Sequence, residues 1–570
     1  MSLTTATWQA TAAGRKAAQQ ASIDALNFKV PTVPDSTLNV AKLSLADQLS
    51  PQDIEITEAS HGVSGLLEKL ASGTWSSEAV VGAFARRSII AHKLTNCLTE
   101  VFIDQALLRA KMLDKHLADT GKPIGPLHGL PISLKDQICV EGVECNMGYV
   151  GWVGRVSKEN AVLVTLLLEQ GAVIYVHTNI PQSLMLTETV NAVYGTTTNP
   201  YNRALSCGGS SGGEGALIAM KGSPLGVGSD VGGSIRIPSA FNGLYGLRPS
   251  YNRIPYCGSV NSMEGFEAIP SVLGPISSTV DGLKIFMKAV LDAKPWRFDP
   301  IALHMPWNEE AYSLSEHGSG GKLCFAFMRD DGVARPMPPY FRAFEMLQAA
   351  LKLAGHSVIE FAFPEPVASY DLVVRINADG GTDIDASCAL SGEPRTGWLR
   401  PAEAPKHLST FEYWQLLKER KEFLRRQLDA WEATSSLTGT GRPVDAIIAP
   451  ISAHLPERHG QAQLVLLPLL FPAKRPDVPN DRYLSYTTMC NIADYPTGVF
   501  PVTSCDPTID VKEAPLAFRG PEDEMVYNLY EPEVYRDAPV SLQCIGRKGE
   551  DEAVVRMTEI LDAALKAVKA

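Results

Sequence analysis

No apolar run in this chain reaches the roughly 18–20 residues that a membrane-spanning helix needs, so no membrane span is expected. No C-x-x-C pairs any of its ten cysteines, which leaves no zinc ribbon, other metal site or redox pair to predict. Scattered thiols in a long chain read as reduced and mostly buried, as in a cytoplasmic protein. Basic residues are in deficit: 51 Lys and Arg stand against 63 Asp and Glu, a net charge of −12. Phosphate backbones are held by basic surfaces, so no nucleic-acid partner is expected. No Gly-Lys-Ser or Gly-Lys-Thr closes a glycine-rich loop, and a Walker A site is excluded. Residues Met1 to Asn27 lack the apolar stretch of a signal peptide. Nothing repeats at a fixed period, which rules out a solenoid.

What is present points to a large globular core, with 45% hydrophobic and 20% charged residues. The first stretch reads helical, with apolar residues at three- and four-residue spacing over Thr11–Leu26, Ser60–Ala71, Ser77–Lys93 and Ile103–Ala118. Short apolar runs then alternate with helices. Strands are predicted over Leu130–Leu134, Ala172–His177, Leu323–Met328, Ser357–Phe361, Ala446–Ala449, Gly498–Val502 and Val540–Ile545, with Ser223–Val227 approaching another. Helices are predicted over Ala161–Gln170, Glu214–Met220, Tyr340–Ala354, Thr410–Thr434 and Asp551–Ala567. Alternation of this kind predicts an α/β fold with helices on both faces of a largely buried sheet. One proline-broken apolar segment, 463–472, is too short to span a bilayer. It reads as core under a loop, as the lid or wall of a substrate channel, or as a membrane or partner patch.

Two glycine-serine clusters carry the chemistry. The first is Gly208-Gly209-Ser210-Ser211-Gly212-Gly213-Glu214-Gly215, the second Gly228-Ser229-Asp230-Val231-Gly232-Gly233-Ser234-Ile235-Arg236. Glycine-serine runs are commonly linkers, but each of these is followed by apolar sequence. Glycine lets the backbone approach a ligand closely, and a serine held there is a candidate nucleophile ringed by N–H groups. A serine hydroxyl needs a base. The first cluster formally matches the G-x-S-x-G elbow, whose base is histidine, but that motif follows an apolar strand and here Tyr201–Cys207 reads as a polar loop. Cys207 adjoins the cluster without any motif for a thiol enzyme. The remaining candidate base is Lys135, at the end of the apolar run Leu130–Leu134. Desolvation lowers a lysine pKa toward neutrality, although snorkelling to solvent or pairing with Asp136 would explain a lysine there equally well.

Leu130-Pro131-Ile132-Ser133-Leu134-Lys135-Asp136, the first cluster and Gly228–Pro238 together resemble the amidase signature hydrolases, with the spacing of that family's Ser–cis-Ser–Lys set. Gly125–Gly129, Leu244–Pro249, Asn261–Gly265 and Pro539–Gly546 are similar to the fungal acetamidase-type branch, and fatty-acid amide hydrolases are a more distant likeness. The likeness implies a large mixed β-sheet in an α/β/α domain over residues 96–570, core motifs within 130–248 and a helical N-terminal arm over 1–95, and it allows a homodimer. It implies that Ser234 is the nucleophile, that Ser210, joined to Gly209 by a cis peptide, relays its proton, and that Lys135 is the base. Val231, Gly232, Gly233 and Ser234 would supply oxyanion N–H groups, and the backbone of Leu184 would face the substrate. Ser211, Asp230 and Arg236 would orient the loops. No cofactor is implied.

The expected reaction is hydrolysis of a small carboxylic amide, short-chain as in acetamidases, through an acyl-enzyme. Carbamates, aryl amides and longer-chain amides or esters share the attack geometry and stay open as substrates. A tRNA amidotransferase-type subunit is disfavoured by the acidic net charge. A non-catalytic family member is disfavoured by the presence of Lys135, Ser210 and Ser234 together.

Overall fold

The computed structural model describes residues 7–377, 381–396, 408–461 and 485–569. The apolar 463–472 segment lies outside the described residues. Strands in chain order are β1 (Leu98–Val101), β2 (Pro131–Lys135), β3 (Val173–Thr178), β4 (Val190–Asn191), β5 (Gly195–Thr196), β6 (Leu225–Asp230), β7 (Tyr245–Arg248), β8 (Val272–Ser277), β9 (Cys324–Phe327), β10 (Ser357–Glu360), β11 (Ala446–Pro450), β12 (Thr497–Ser504) and β13 (Pro539–Ile545). Eleven of them form one sheet in the order β1-β3-β2-β6-β8-β7-β12-β13-β11-β9-β10, and β4 and β5 pair separately. The sheet is mixed. The β3–β2–β6 group and the β11–β9–β10 group are parallel, while β8, β7, β12 and β13 join them through antiparallel pairings.

Every residue of β2, β3, β6, β7, β8, β9, β11 and β13 is buried. Successive strand residues point to opposite faces, so total burial means that both faces of the sheet are covered. The fold is therefore α/β. Continuous apolar runs, rather than alternation, are the sequence pattern such strands require.

The helices begin and end where local chemistry dictates. Helix Ile103–Thr120 stops at Gly121, whose φ of 68° closes its last turn. Helix Thr410–Ala433 opens on a reciprocal capping box, Ser409 with Glu412, and buries Trp431, whose indole N–H donates to the Val444 carbonyl at 3.0 Å. At the β1 edge of the sheet, Gln19 on helix Trp8–Ala25 donates to the carbonyls of Leu98 and Thr99 at 2.7 and 2.9 Å, fastening that helix to β1.

Strands β1, β4, β5, β7 and β8 have no counterpart among the sequence-based expectations. β1, β4, β5 and β7 run for only two to four residues, and β8 carries Gly274-Pro275 in its middle, a pair that argues against a central strand. The sheet accommodates β8 because β6 pairs with all six of its residues while β7 pairs only with Ile276 and Ser277, so Pro275, which has no N–H to donate, lies beyond the β7 ladder. Parallel strands β2 and β6 lie side by side, pairing Leu134 with Val227, so their C-terminal ends open at the same edge of the sheet. Ligands in α/β sheets bind outside the carboxyl ends of the strands, and both glycine-serine clusters converge at this edge.

Candidate active site

Lys135 is the last residue of β2 and has no solvent exposure. Its register beside β6 carries the side chain alongside Gly228-Ser229. Lys135 Nζ hydrogen-bonds Ser210 Oγ and Ser229 Oγ, each at 2.7 Å. Burial pushes the ammonium down to about 7, against the opposing charges of Asp230 and Glu214, which favour its protonated form. Glu214 is itself fully buried on helix Gly212–Ala219. Burial drives its carboxyl up to about 7, while hydrogen bonds donated by Ser133 Oγ at 2.6 Å and Thr178 Oγ1 at 2.9 Å oppose the rise. An amine that is half neutral near pH 7 and touches a hydroxyl is equipped to take its proton.

The first cluster approaches Lys135 by a backbone route that only small residues allow. The peptide between Gly209 and Ser210 is cis. A Cβ at Gly209 would come within 2.5 Å of the Leu186 carbonyl oxygen. Ser211 then links the clusters: its N–H donates to the Ser234 carbonyl at 3.2 Å, and its hydroxyl oxygen accepts from the Ser229 N–H at 3.3 Å. Helix Gly212–Ala219 follows at once, but Tyr201–Cys207 contains no strand of the sheet. The strand–turn–helix context of a G-x-S-x-G elbow is thus missing. Cys207 is buried, and its thiol is pushed up out of the reactive range by that burial.

The second cluster folds around Asp230, the last residue of β6. Asp230 Oδ1 accepts from the Gly233 N–H at 2.9 Å, and Oδ2 from the Ile235 N–H at 3.2 Å. Arg236 grips the same carboxylate with two bonds of 3.0 Å each. Asn491 Nδ2 donates to it at 2.8 Å, while Arg236 also donates to Asn491 Oδ1 and Gln543 Oε1 at 2.6 and 3.3 Å. Burial alone would raise the Asp230 carboxyl, but the Arg236 charge and these donors hold it far below the usual carboxylate range. The net result is a rigid, fully satisfied anion under the loop Val231–Ser234.

Gly233 has φ of 120° and a Cβ there would strike Thr487, so no other residue fits. Thr487 in turn donates its hydroxyl to the Gly232 carbonyl at 2.7 Å. Because the Gly233 N–H is directed at Asp230, its expected place among the oxyanion donors meets a donor already engaged. Ser234, next in the loop, retains 9% exposure. Leu184 is buried with φ of 67°, and its N–H donates to the Pro181 carbonyl at 3.1 Å. Among the described residues, no group of three or more His, Cys, Asp or Glu is placed to hold a metal.

Sequence reasoning left Ser229, Glu214, Gln137, Asn491 and Gln543 without roles. Glu214 had a signal: it is a lone carboxylate in a helix of otherwise glycine and apolar residues. Asn491 and Gln543 had none, since they reach the site from segments more than 250 positions away.

The Amidase family model matches residues 79–555 of the chain. An acetamidase of Aspergillus oryzae is 39% identical over 565 residues, covering 98% of this chain and 99% of that protein. An acetamidase of Emericella nidulans is also 39% identical, covering 97% of each. Among solved structures, a fatty acid amide hydrolase superposes with a TM-score of 0.86 at 32% identity, covering 97% of this chain and 94% of that one.

Asp230→Ala would leave the Arg236 guanidinium buried without its counter-ion, a change that costs about 3–5 kcal/mol. A large drop in thermal unfolding temperature is expected, whereas Ser211→Ala, which removes two long hydrogen bonds to the Ser229 backbone, at 3.3 and 3.4 Å, should cost only about 1–2 kcal/mol. Equal melting of the two variants by calorimetry would reject the structural weight given to Asp230.

Proposed function

This chain belongs to the amidase family, and we propose that it hydrolyses short-chain carboxylic amides by acyl transfer through Ser234, Ser210 and Lys135. The observation that carries this reading is the buried Lys135 amine, held 2.7 Å from Ser210 Oγ. In the neutral amine, the Nζ lone pair takes the Ser210 hydroxyl proton as Ser210 takes that of Ser234. Ser234 Oγ bonds to the amide carbonyl carbon, and the carbonyl oxygen becomes an anion. N–H groups of the Val231–Ser234 loop, Val231, Gly232 and Ser234 above all, face that charge; losing one such donor costs about 10²–10³-fold in rate. Gly233 gives the loop its shape through Asp230. The relayed proton then returns to the leaving nitrogen as the C–N bond breaks, releasing ammonia or an amine. Water repeats the attack on the ester, yielding the carboxylate and restoring Ser234.

Support for a short acyl group comes from the two fungal acetamidases, similar along their whole length. A second reading, longer acyl chains, is favoured by the likeness to a fatty acid amide hydrolase. Ammonia release from acetamide, benzamide, ethyl carbamate and a long-chain primary amide separates them. Acetamide is expected to have the highest kcat/KM, and preference for the long-chain amide would reject the short-chain assignment.

The base must be neutral to act, so turnover is lost as pH falls through the Lys135 pKa of about 7. The kcat profile should drop about tenfold per unit on the acid side and level off above neutrality. A profile flat from about pH 5 to 9, with chemistry rate-limiting, removes Lys135 as the base. Ser234→Ala should abolish both turnover and covalent labelling by a fluorophosphonate; persistent labelling assigns the nucleophile elsewhere.

A further inference from the structure

Lys135 faces two hydroxyls at equal distance, Ser210 and Ser229. Only one of them is a useful proton source for the base. A neutral amine has two N–H groups and one lone pair. If the Ser229 hydroxyl donated to that lone pair, the base would be occupied by the wrong serine.

The surroundings of Ser229 decide the question. Its hydroxyl contacts Gln137 Oε1 closely. Gln137 is fully buried, two positions past Lys135. Its Nε2 donates to the Val260 carbonyl at 2.9 Å and to Tyr256 Oη at 2.8 Å. The Val260 carbonyl can only accept, so the amide nitrogen must face it and Oε1 must face Ser229. The opposite orientation would set two acceptors against each other. The Val260 N–H also donates to the Gln137 carbonyl at 2.9 Å, which holds the backbone in place. Oε1 carries no hydrogen, so Ser229 is the donor in its bond to Gln137. Its single hydroxyl hydrogen is thereby used, and toward Lys135 its oxygen can only accept. An N–H of Lys135 must then point at Ser229, so Ser229 does not occupy the lone pair, which stays available to the hydroxyl of Ser210.

We infer that Gln137 is a positioning residue which, through Ser229, keeps the Lys135 lone pair directed at Ser210. The inference rests on the acyl-transfer reading above. The charged groups facing Lys135 are Glu214 on helix Gly212–Ala219 and Asp230 at the end of β6, the latter paired with Arg236. All three remain when Gln137 is changed.

Gln137→Met keeps the length of the side chain and removes its acceptor. The freed Ser229 hydroxyl then donates to the neutral amine, which both blocks the base and favours its unprotonated form. The expected result is a kcat plateau lower by about tenfold, part of the roughly 10²–10⁴-fold that general-base catalysis supplies. KM for acetamide should hold and the acid limb should move to lower pH. In a Ser229→Ala background the same substitution should change neither quantity. A loss that compounds in that background, or an acid limb that stays in place, marks Gln137 as merely structural and overturns the inference. Should Gln137→Met not fold, as judged by circular dichroism, Ser229→Ala alone tests the same bond: it removes the acceptor that fixes the Lys135 N–H, and an unchanged kcat overturns the inference. Lys135→Ala separates the two levels. Full turnover in that variant rejects the acyl-transfer reading itself, whereas lost turnover there with an indifferent Gln137→Met rejects only the positioning role.

Discussion

An amine at the end of a central strand, with no solvent exposure, is poorly able to keep its charge. Lys135 is in that position because β2 lies between β3 and β6 with both faces covered. Desolvation of an ammonium costs far more than a surface lysine ever meets, and here it outweighs the nearby carboxylates. Much else in the site follows from that constraint. The two hydroxyls at Nζ supply hydrogen bonds that water would otherwise make. The clusters are glycine-rich because backbone must pass close to a fixed amine without side chains intervening, as the 2.5 Å approach that a Gly209 Cβ would make to a carbonyl oxygen illustrates.

Asp230 solves the opposite problem. It is equally buried, yet it stays ionised because Arg236 meets it with a two-pronged bond and two loop N–H groups and Asn491 complete its shell. A buried carboxylate satisfied on every side is a stiff anchor. Apart from Asn491, its partners are the Gly233 and Ile235 N–H groups and the Arg236 side chain, so the anchor sets the shape of the turn that presents Ser234. The Asp230 charge still favours the ammonium form of Lys135, but burial outweighs it and the amine comes down to about 7.

The parts of this architecture legible in the sequence are those in which local pattern and tertiary environment agree. Strands such as Val173–Thr178, which opens on four apolar residues, and the wholly apolar Cys324–Phe327 announce themselves, and long amphipathic helices carry their own caps. β8 was hidden because Gly274-Pro275 is a turn signal that only its antiparallel partners override. Helix Ser485–Ala493 was hidden by its run of Ser, Tyr and Thr, residues that follow burial rather than helix propensity. In the candidate site, Lys135, Ser210 and Ser234 stand in motifs whose spacing is diagnostic. Gln137, Asn491 and Gln543 are ordinary amides in sequence and acquire meaning only from what they face. Amides have both donor and acceptor ends, and which end matters is a property of three-dimensional placement.

Glu214 bears on how proton transfer at this site titrates. It sits in the first cluster yet touches neither serine expected to do chemistry. Instead it receives the hydroxyls of Ser133 on β2 and Thr178 at the end of β3, while its charge is felt by Lys135. Burial brings the acid up and the amine down until both lie about 7. Two interacting groups with coincident affinities share their protons, and the observable steps belong to the pair. A proton leaving the amine near neutrality favours protonation of the acid, since the cation that stabilised the carboxylate is then gone. Below neutrality both groups hold a proton and well above it neither does; in between, neutral amine with neutral acid and ammonium with carboxylate share a single proton. In the acyl-transfer reading proposed above, Lys135 has a lone pair to offer once it is neutral, so the carboxyl of Glu214 shapes the acid limb of the same titration.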